Sequence, residues 1–304
     1  MIARRRGRLR EALTGYAFVL PALLLFGVWG VYTVGYGLLL SFARWNGFSP
    51  HWIWVGLDNY ADLLYRDLTR AAEVRAAAAH TGVVMIAVPL LTVAIGLPIA
   101  LALNRIRLLR STLRTVFFLP YVTTGIAVFY AWTYVLQPEG SLNFILRNLG
   151  LGSLAQPQGF LGNPGTALPT LIVVMAWSAV PVAILLYLSG LTAIDPDMLD
   201  AASIDGAGGV RTARSVIWPL LRPITAAIIL LTLRDALQGF QIFLIMTNGG
   251  PGGHTNVLGL QAYQLAFLSQ LRPTLGLASA LGWMLFAAAL GRAAANVRAL
   301  RSRI

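Results

Sequence analysis

Arg234, Asp235, Gln238 and Gln241 fall within eight residues of an otherwise apolar run. A charge at the centre of a membrane helix costs about 2.5–3.5 kcal/mol on insertion scales, so such residues normally face a cavity or a partner. On a continuous helix Arg234, Gln238 and Gln241 stand at i, i+4 and i+7 and share one stripe. Their chemistry is hydrogen bonding to a hydroxyl-rich solute. An upstream apolar run adds Trp177, Ser178 and Tyr187, with aromatic faces to pack a solute and Pro181 to break the helix. A purely structural role is equally open at this point, in which the ions pair with neighbouring helices and the glutamines bond between helices.

Other chemistries are excluded. All 23 basic residues are arginine, which removes the P-loop lysine and any Schiff-base amine. Cysteine is absent, so there is no disulfide, thiolate metal site or cysteine nucleophile. His51, His80 and His254 are too far apart in sequence to form a ligand-spaced cluster, and no metal site is expected. The net charge of +12 does not indicate nucleic acid, because the arginines flank apolar runs and form no basic face interleaved with aromatics.

The elements that must position the polar residues are membrane spans. The chain is 57% hydrophobic and 11% charged, with mean hydropathy +0.71; soluble proteins carry about 25% charged residues. About 20 apolar residues cross a hydrocarbon core, which predicts six spans near 14–42, 81–103, 113–136, 167–191, 223–246 and 273–295. The first run is too long for a signal-peptide core and reads as an uncleaved span. An amino terminus inside puts sixteen arginines, at 4–10, 105–114, 211–222 and 292–303, on the cytoplasmic side. Six then face out, at 44, 66, 70, 75, 147 and 272. The positive-inside rule favours that orientation, with both termini cytoplasmic. Trp45, Trp52, Trp54 and Tyr60 suit an interfacial belt. Residues 58–79 are expected to begin as an amphipathic helix on the outer surface, and 138–164 to be a structured outer loop. The expectation is an all-α, multi-pass protein of one membrane domain.

Between the fourth and fifth spans lies a polar loop, 192–222. Asp195 can cap a helix, with Pro196 at its first position and Asp197 at the positive dipole end. A short helix continues over 200–207. Gly206, Gly208 and Gly209 permit a turn, and a second helical piece over 210–217 leads to Pro219 and Pro223, where the fifth span is expected to start. By composition alone this could be a plain connection.

The spacing in this loop resembles the signature of permease subunits of binding-protein-dependent ABC importers: Glu-Ala-Ala, three residues, Gly, nine residues, Ile-x-Leu-Pro. Asp200, Ala201, Ala202, Gly206, Val216, Trp218 and Pro219 hold those places, and Asp205 and Ala207 complete an Asp-Gly-Ala run. Asp200 is one methylene shorter than the usual glutamate, and Ala213 stands where an aromatic is usual. The run Thr247-Asn248-Gly249-Gly250-Pro251, followed by Tyr263, Ala266 and Phe267, is similar to a run of the sugar-type permeases; alone it would be a glycine-rich turn. Gly56 to Tyr60 as Gly-Leu-Asp-Asn-Tyr, Arg114 with Leu119-Pro120, and Gly190-Leu191 extend the match, while His80 replaces a usual Asn before Thr81.

The resemblance implies a type I importer-like permease for maltose-like sugars, other oligosaccharides or glycerol-phosphate. It implies a heterodimer with a second permease in the cytoplasmic membrane of a prokaryote. Two ATPase subunits would grip the loop through Asp200, Ala201, Ala202, Asp205, Gly206, Ala207 and Pro219, and an extracytoplasmic solute-binding protein would deliver cargo. ATP and Mg would be used by the ATPase, with no cofactor in this chain. The competing class is an ion-gradient-driven secondary transporter, which needs inverted repeats and a membrane carboxylate. Asp235 is the one candidate carboxylate, and no convincing repeat is visible.

Overall fold

The computed structural model describes residues 2–106, 125–268 and 274–301, with side chains over 14–104, 106, 125–268 and 274–288. The first half of the expected third span, the motif residues Arg114, Leu119 and Pro120, and Arg272 and Pro273 lie outside the described residues, as do the side chains of the terminal arginines. The chain is predominantly helical and divides into two compact units, 1–71 with 262–304, and 72–261.

In the first unit, α1 (Ile2–Leu25), a π-helical turn (Phe26–Tyr32) and α2 (Thr33–Ser41) run on without a break. Thr14–Ser41 is long and apolar enough to cross a membrane, within a residue of expectation. A two-residue hairpin follows, β1 (Ala43–Arg44) against antiparallel β2 (Ile53–Trp54). Buried Asn59 fastens this junction: its amide donates to Ser41 O and Ala43 O, each at 2.9 Å, while Tyr60 donates its hydroxyl to Ser41 Oγ at 2.7 Å. The Gly-Leu-Asp-Asn-Tyr motif therefore ties off the end of the first span. The last helix, α13 (Leu275–Arg301), packs against α2 in the same unit.

Residues 58–79 do not form one surface helix. A short α3 (Asp58–Ala61) and a π turn (Asp62–Arg66) end at extended Asp67, whose carboxylate accepts from Arg70 N at 3.1 Å and starts α4 (Leu68–Arg105). Alanine-rich 71–79 is then simply the beginning of a 38-residue helix that passes through Pro89 and Pro98.

The second unit adds α5 (Ile126–Val135), α6 (Ser141–Asn148), α7 (Pro164–Thr192), α8 (Pro196–Ile204), α9 (Gly209–Thr212), α10 (Trp218–Gln238), α11 (Phe240–Met246) and α12 (Leu258–Tyr263). The outer loop is structured as expected, organised by Asn143, whose amide bridges Pro138 O and Gln156 O at 2.9 Å each while its oxygen accepts from Gln156 N. Pro181 does not break α7, which is continuous over 29 residues and caps itself at Asn163. The core joins α4, α7 and α10 through Leu103, Ile184, Leu188, Leu221 and Ile228. Small residues set the spacing: a Cβ on Gly96 would stand 3.0 Å from the Ala183 methyl, and one on Gly190 would run into Ile224 and Leu221.

Four helical stretches among the described residues are long and apolar enough to span: Thr14–Ser41, Leu68–Asn104, Pro164–Thr192 and Gly209–Gln238. Two shorter apolar helices, Ile126–Val135 and Leu275–Ala288, fall within parts of the expected third and sixth spans.

Candidate functional site

The elbow between α7 and α10 derives its shape from local capping. Asp195 Oδ1 accepts from Asp197 N at 3.0 Å, with Pro196 at the first helical position. At the other end Ala207 N donates to Ala202 O and Gly206 N to Ser203 O, both at 3.0 Å. Those two bonds define a Schellman closure with Gly206 at the left-handed position, φ +73°. The helix consequently ends at Ile204, earlier than the 200–207 expected. The signature spacing has a geometric meaning: Ala202 and Ala207 are the small residues that meet across the closure. Ala202 is buried, and Asp200, Ala201, Asp205 and Gly206 are exposed.

Beyond the closure the helix restarts at Gly209 and does not stop at Pro219 or Pro223. A π turn over Ala213–Ile217 leads straight into α10. Those prolines remove the donors for the Ser215 and Pro219 carbonyls, and the wider turn absorbs the mismatch. The apolar helix expected as the fifth span thus begins within the elbow itself, at Gly209, and half-buried Pro219 is part of the first turn of α10. Sequence reasoning missed two apolar side chains here. Ile204 is 87% exposed and Val210 84% exposed, flanking the Gly206 turn. Their signal was two large aliphatics within the otherwise small or polar run 200–215.

In the same unit a cavity of about 510 Å³ is lined by Phe129, Met175, Ser178, Arg234, Asp235 and Gln241 among others. The helix is discontinuous at the cavity wall: α10 ends at Gln238, capped by Gly239, whose N–H bonds Asp235 O at 2.7 Å, and α11 resumes at Phe240. Broken helices within membranes are tolerated where they line a cavity or are buried in protein. A Cβ at Gly239 would lie 2.6 Å from Asp235 O, so glycine permits the break.

This break ends the expected i, i+4, i+7 stripe. Arg234 Nε still donates to Gln238 Oε1 at 3.4 Å, and Gln241 reaches the cavity from the separate α11. Gln238 is not part of the lining. Ser178 is, with its hydroxyl donated to Val174 O at 3.1 Å and its lone pairs left to accept. Trp177 instead meets Trp132 edge to face at 5.3 Å, and the aromatic ring that lines the cavity is Phe129. Sequence offered no means of separating Phe129 from the surrounding apolar residues.

Tyr187 lies away from the cavity, fully buried between α7 and α10. Thr225 Oγ1 donates to Leu221 O at 3.0 Å, so the 3.0 Å Tyr187–Thr225 contact has the phenol as donor. Tyr187→Phe is expected to lower thermal stability in detergent by about 0.6 kcal/mol, the mean for such bonds within membranes, with uptake preserved. Unchanged stability would free the Tyr187 phenol for a role other than joining α7 to α10.

The Thr-Asn-Gly-Gly-Pro run is a compact turn in which Thr255 Oγ1 meets both Thr247 Oγ1 (2.7 Å) and Gly250 O (2.6 Å). Adjacent residues bind it to α4: His80 Nδ1 lies 2.9 Å from Asn256 O, and Leu258 N donates to Thr81 Oγ1 at 3.0 Å. A carbonyl can only accept, so His80 carries its proton on Nδ1 here. An asparagine amide could supply the same donor, which accounts for the exchange of His for Asn.

Residues 92–299 match the family described as binding-protein-dependent transport system inner membrane component. The chain is 33% identical to the trehalose/maltose transport system permease protein MalF of Thermococcus litoralis, across 84% of this chain and 83% of that protein. It is 31% identical to the multiple sugar-binding transport system permease protein MsmF of Streptococcus mutans, across 90% of each. Its fold is similar to a chain in the crystal structure of a bacterial ABC transporter involved in the import of the acidic polysaccharide alginate, at TM-score 0.74, 21% identity and 94% coverage of both. A second structure of a bacterial alginate ABC transporter, in complex with an alginate pentasaccharide-bound periplasmic protein, matches at TM-score 0.73 and 20% identity, covering 93% of this chain and 92% of that one. The protein therefore belongs to the binding-protein-dependent transport system inner membrane components, the ABC transporter permeases.

Proposed function

We propose that this chain is the permease subunit of an ABC importer for a sugar or related polyol, forming half of the pathway and coupled to a separate ATPase through residues 195–219. It crosses the cytoplasmic membrane six times with both termini inside. It pairs with a second, similar permease, binds two ATPase subunits, and receives cargo from an extracytoplasmic binding protein. The relatives' sugar-transport names and the periplasmic protein in the neighbouring structure support this reading. The observation that carries it is the elbow: a rigidly capped turn presenting Asp200, Asp205, Ile204 and Val210 outward, continuous through α9 and the π turn with span five.

The mechanism follows from that continuity. Closure of the ATPases displaces the elbow, and because no hinge separates Gly209 from Gln238, the displacement reaches the cavity wall as a rigid-body tilt. The break at Gly239 lets the cavity open alternately to either side. Solute hydroxyls bond Asp235, Arg234, Gln241 and Ser178 while Phe129 packs an apolar sugar face.

Reconstitution in vesicles tests this. Uptake of a labelled saccharide is expected to require ATP, both ATPase subunits and the binding protein, and to survive collapse of proton and sodium gradients. Uptake that continues without the ATPase and follows an ion gradient would establish the secondary-transporter reading instead.

A further inference from the structure

The first unit contains a separate cleft of about 540 Å³ that the transport mechanism leaves unused. It opens beside the ends of two apolar helices of that unit: just past Ser41, the end of α2, and at Gly276, in the first turn of α13. Its charged lining is Arg44, Asp62 and Arg70. Trp45 forms part of the wall, held by a 2.8 Å bond from its indole N–H to Ser49 O. Phe48, Trp52, Ile53 and Trp54 are exposed nearby and make an apolar border of the composition that suits a membrane interface.

Both signs of charge remain partly unspent. The Arg44–Asp62 pair is 3.9 Å apart, beyond hydrogen-bonding distance, with the two side chains 63% and 18% exposed. Arg70 commits Nε to Asp67 at 3.2 Å, leaving its terminal nitrogens available. Asp62 Oδ1 also stands 3.7 Å from Arg66, again beyond hydrogen-bonding distance, while Arg66 is engaged more closely by Asp58 at 2.7 Å, a bond that holds its guanidinium above the ordinary arginine value.

We propose that this cleft binds the headgroup of an aminophospholipid, with phosphate against Arg44 and Arg70 and the primary ammonium against Asp62. Guanidinium groups suit phosphate oxygens. A carboxylate can accept hydrogen bonds from a primary ammonium but not from a trimethylammonium, and a glycerol headgroup carries no cation. The aromatic border suits the glycerol and upper acyl region.

The assembled transporter is reconstituted in bilayers of equal phosphatidylethanolamine, phosphatidylcholine and phosphatidylglycerol, extracted in mild detergent, and its retained lipid identified by native mass spectrometry. Phosphatidylethanolamine is expected to be retained preferentially. Arg44→Gln and Asp62→Asn should each lower that retention about fivefold, the scale of one exposed ion pair, and Arg44→Lys should restore most of it. Arg44 is exposed, so its variant leaves the fold intact even where Asp62→Asn does not. Equal retention of all three lipids, or unchanged retention in the Arg44→Gln protein, overturns the proposal. Capture of soluble phosphoethanolamine without any retained lipid overturns the lipid as its source. An unchanged lipid complement combined with lost stimulation by the binding protein overturns it in favour of a protein dock.

Discussion

Gly206→Leu is expected to reduce ATP-driven uptake about tenfold or more, the left-handed conformation alone costing a non-glycine residue about 1–2 kcal/mol. Gly206 holds φ +73°, and among the described residues a Cβ there would meet no atom within 4 Å apart from its chain neighbours. The leucine therefore brings two effects and no internal clash. It strains the Schellman closure that sets the angle between α8 and α9, and it projects four carbons into the space where the ATPase is proposed to seat. Core packing lies elsewhere, so insertion and pairing with the second permease should persist. Gly206→Asn separates the two effects, because asparagine tolerates the left-handed region. An intermediate loss for Asn and a near-complete loss for Leu would assign the larger share to bulk at the docking face. Uptake by Gly206→Leu equal to that of the unaltered protein, measured in vesicles with ATPase binding followed by co-purification, would remove the coupling role from this turn.

The elbow was legible in the sequence because its signals are local. Asp195 before Pro196 is capping chemistry that acts within one turn, and the start of α8 formed accordingly; Gly206 marked the turn, though the helix closes at Ile204 rather than running to 207. Span one was legible for a different reason, since nothing in 14–41 competes with apolar helix over that length. The errors fell where continuity depends on what the chain packs against. Pro181, Pro219 and Pro223 suggested breaks, yet the helices pass through all three, because packing and a widened turn compensate for the lost donors. Gly239, between Gln238 and Phe240, was not read as a break, and there the helix ends. The same limit governed the cavity. Polar residues in an apolar run mark a site, but rotation about the helix axis decides which of them reach it. Ser178 faces the cavity while neighbouring Trp177 does not. Tyr187, two and a half turns further on, belongs to the α7–α10 contact instead.

Arg234→Gln and Asp235→Asn are each expected to raise the solute concentration for half-maximal uptake by about tenfold or more, since hydrogen bonds to charged groups contribute about 1.5–3 kcal/mol. Both side chains line the cavity and are exposed within it, and no ion pair joins them at 4 Å or less among the described residues. Arg234 has one long bond to Gln238. Two opposite charges left open side by side can grip a polyhydroxy solute from both directions, the carboxylate accepting from hydroxyls and the guanidinium donating to them. Each substitution retains shape and some hydrogen bonding, so the loss isolates charge. Gln241→Ala should act in the same direction but more weakly, as a neutral amide contributes about 0.5–1.5 kcal/mol. The alternative is that Arg234 and Asp235 exist to pair with the second permease. That alternative predicts the opposite pattern: expression and co-purification of the two permeases fall while the concentration dependence of any remaining uptake stays constant. The half-saturation value and the yield of assembled complex, measured on the same preparations, therefore decide between a solute grip and a subunit joint. A charge-reversed pair, Arg234→Asp with Asp235→Arg, sharpens the distinction. Net charge of the wall is conserved, yet the two groups exchange faces about 100° apart on the helix, so a solute grip fails while mere neutrality of the cavity is maintained.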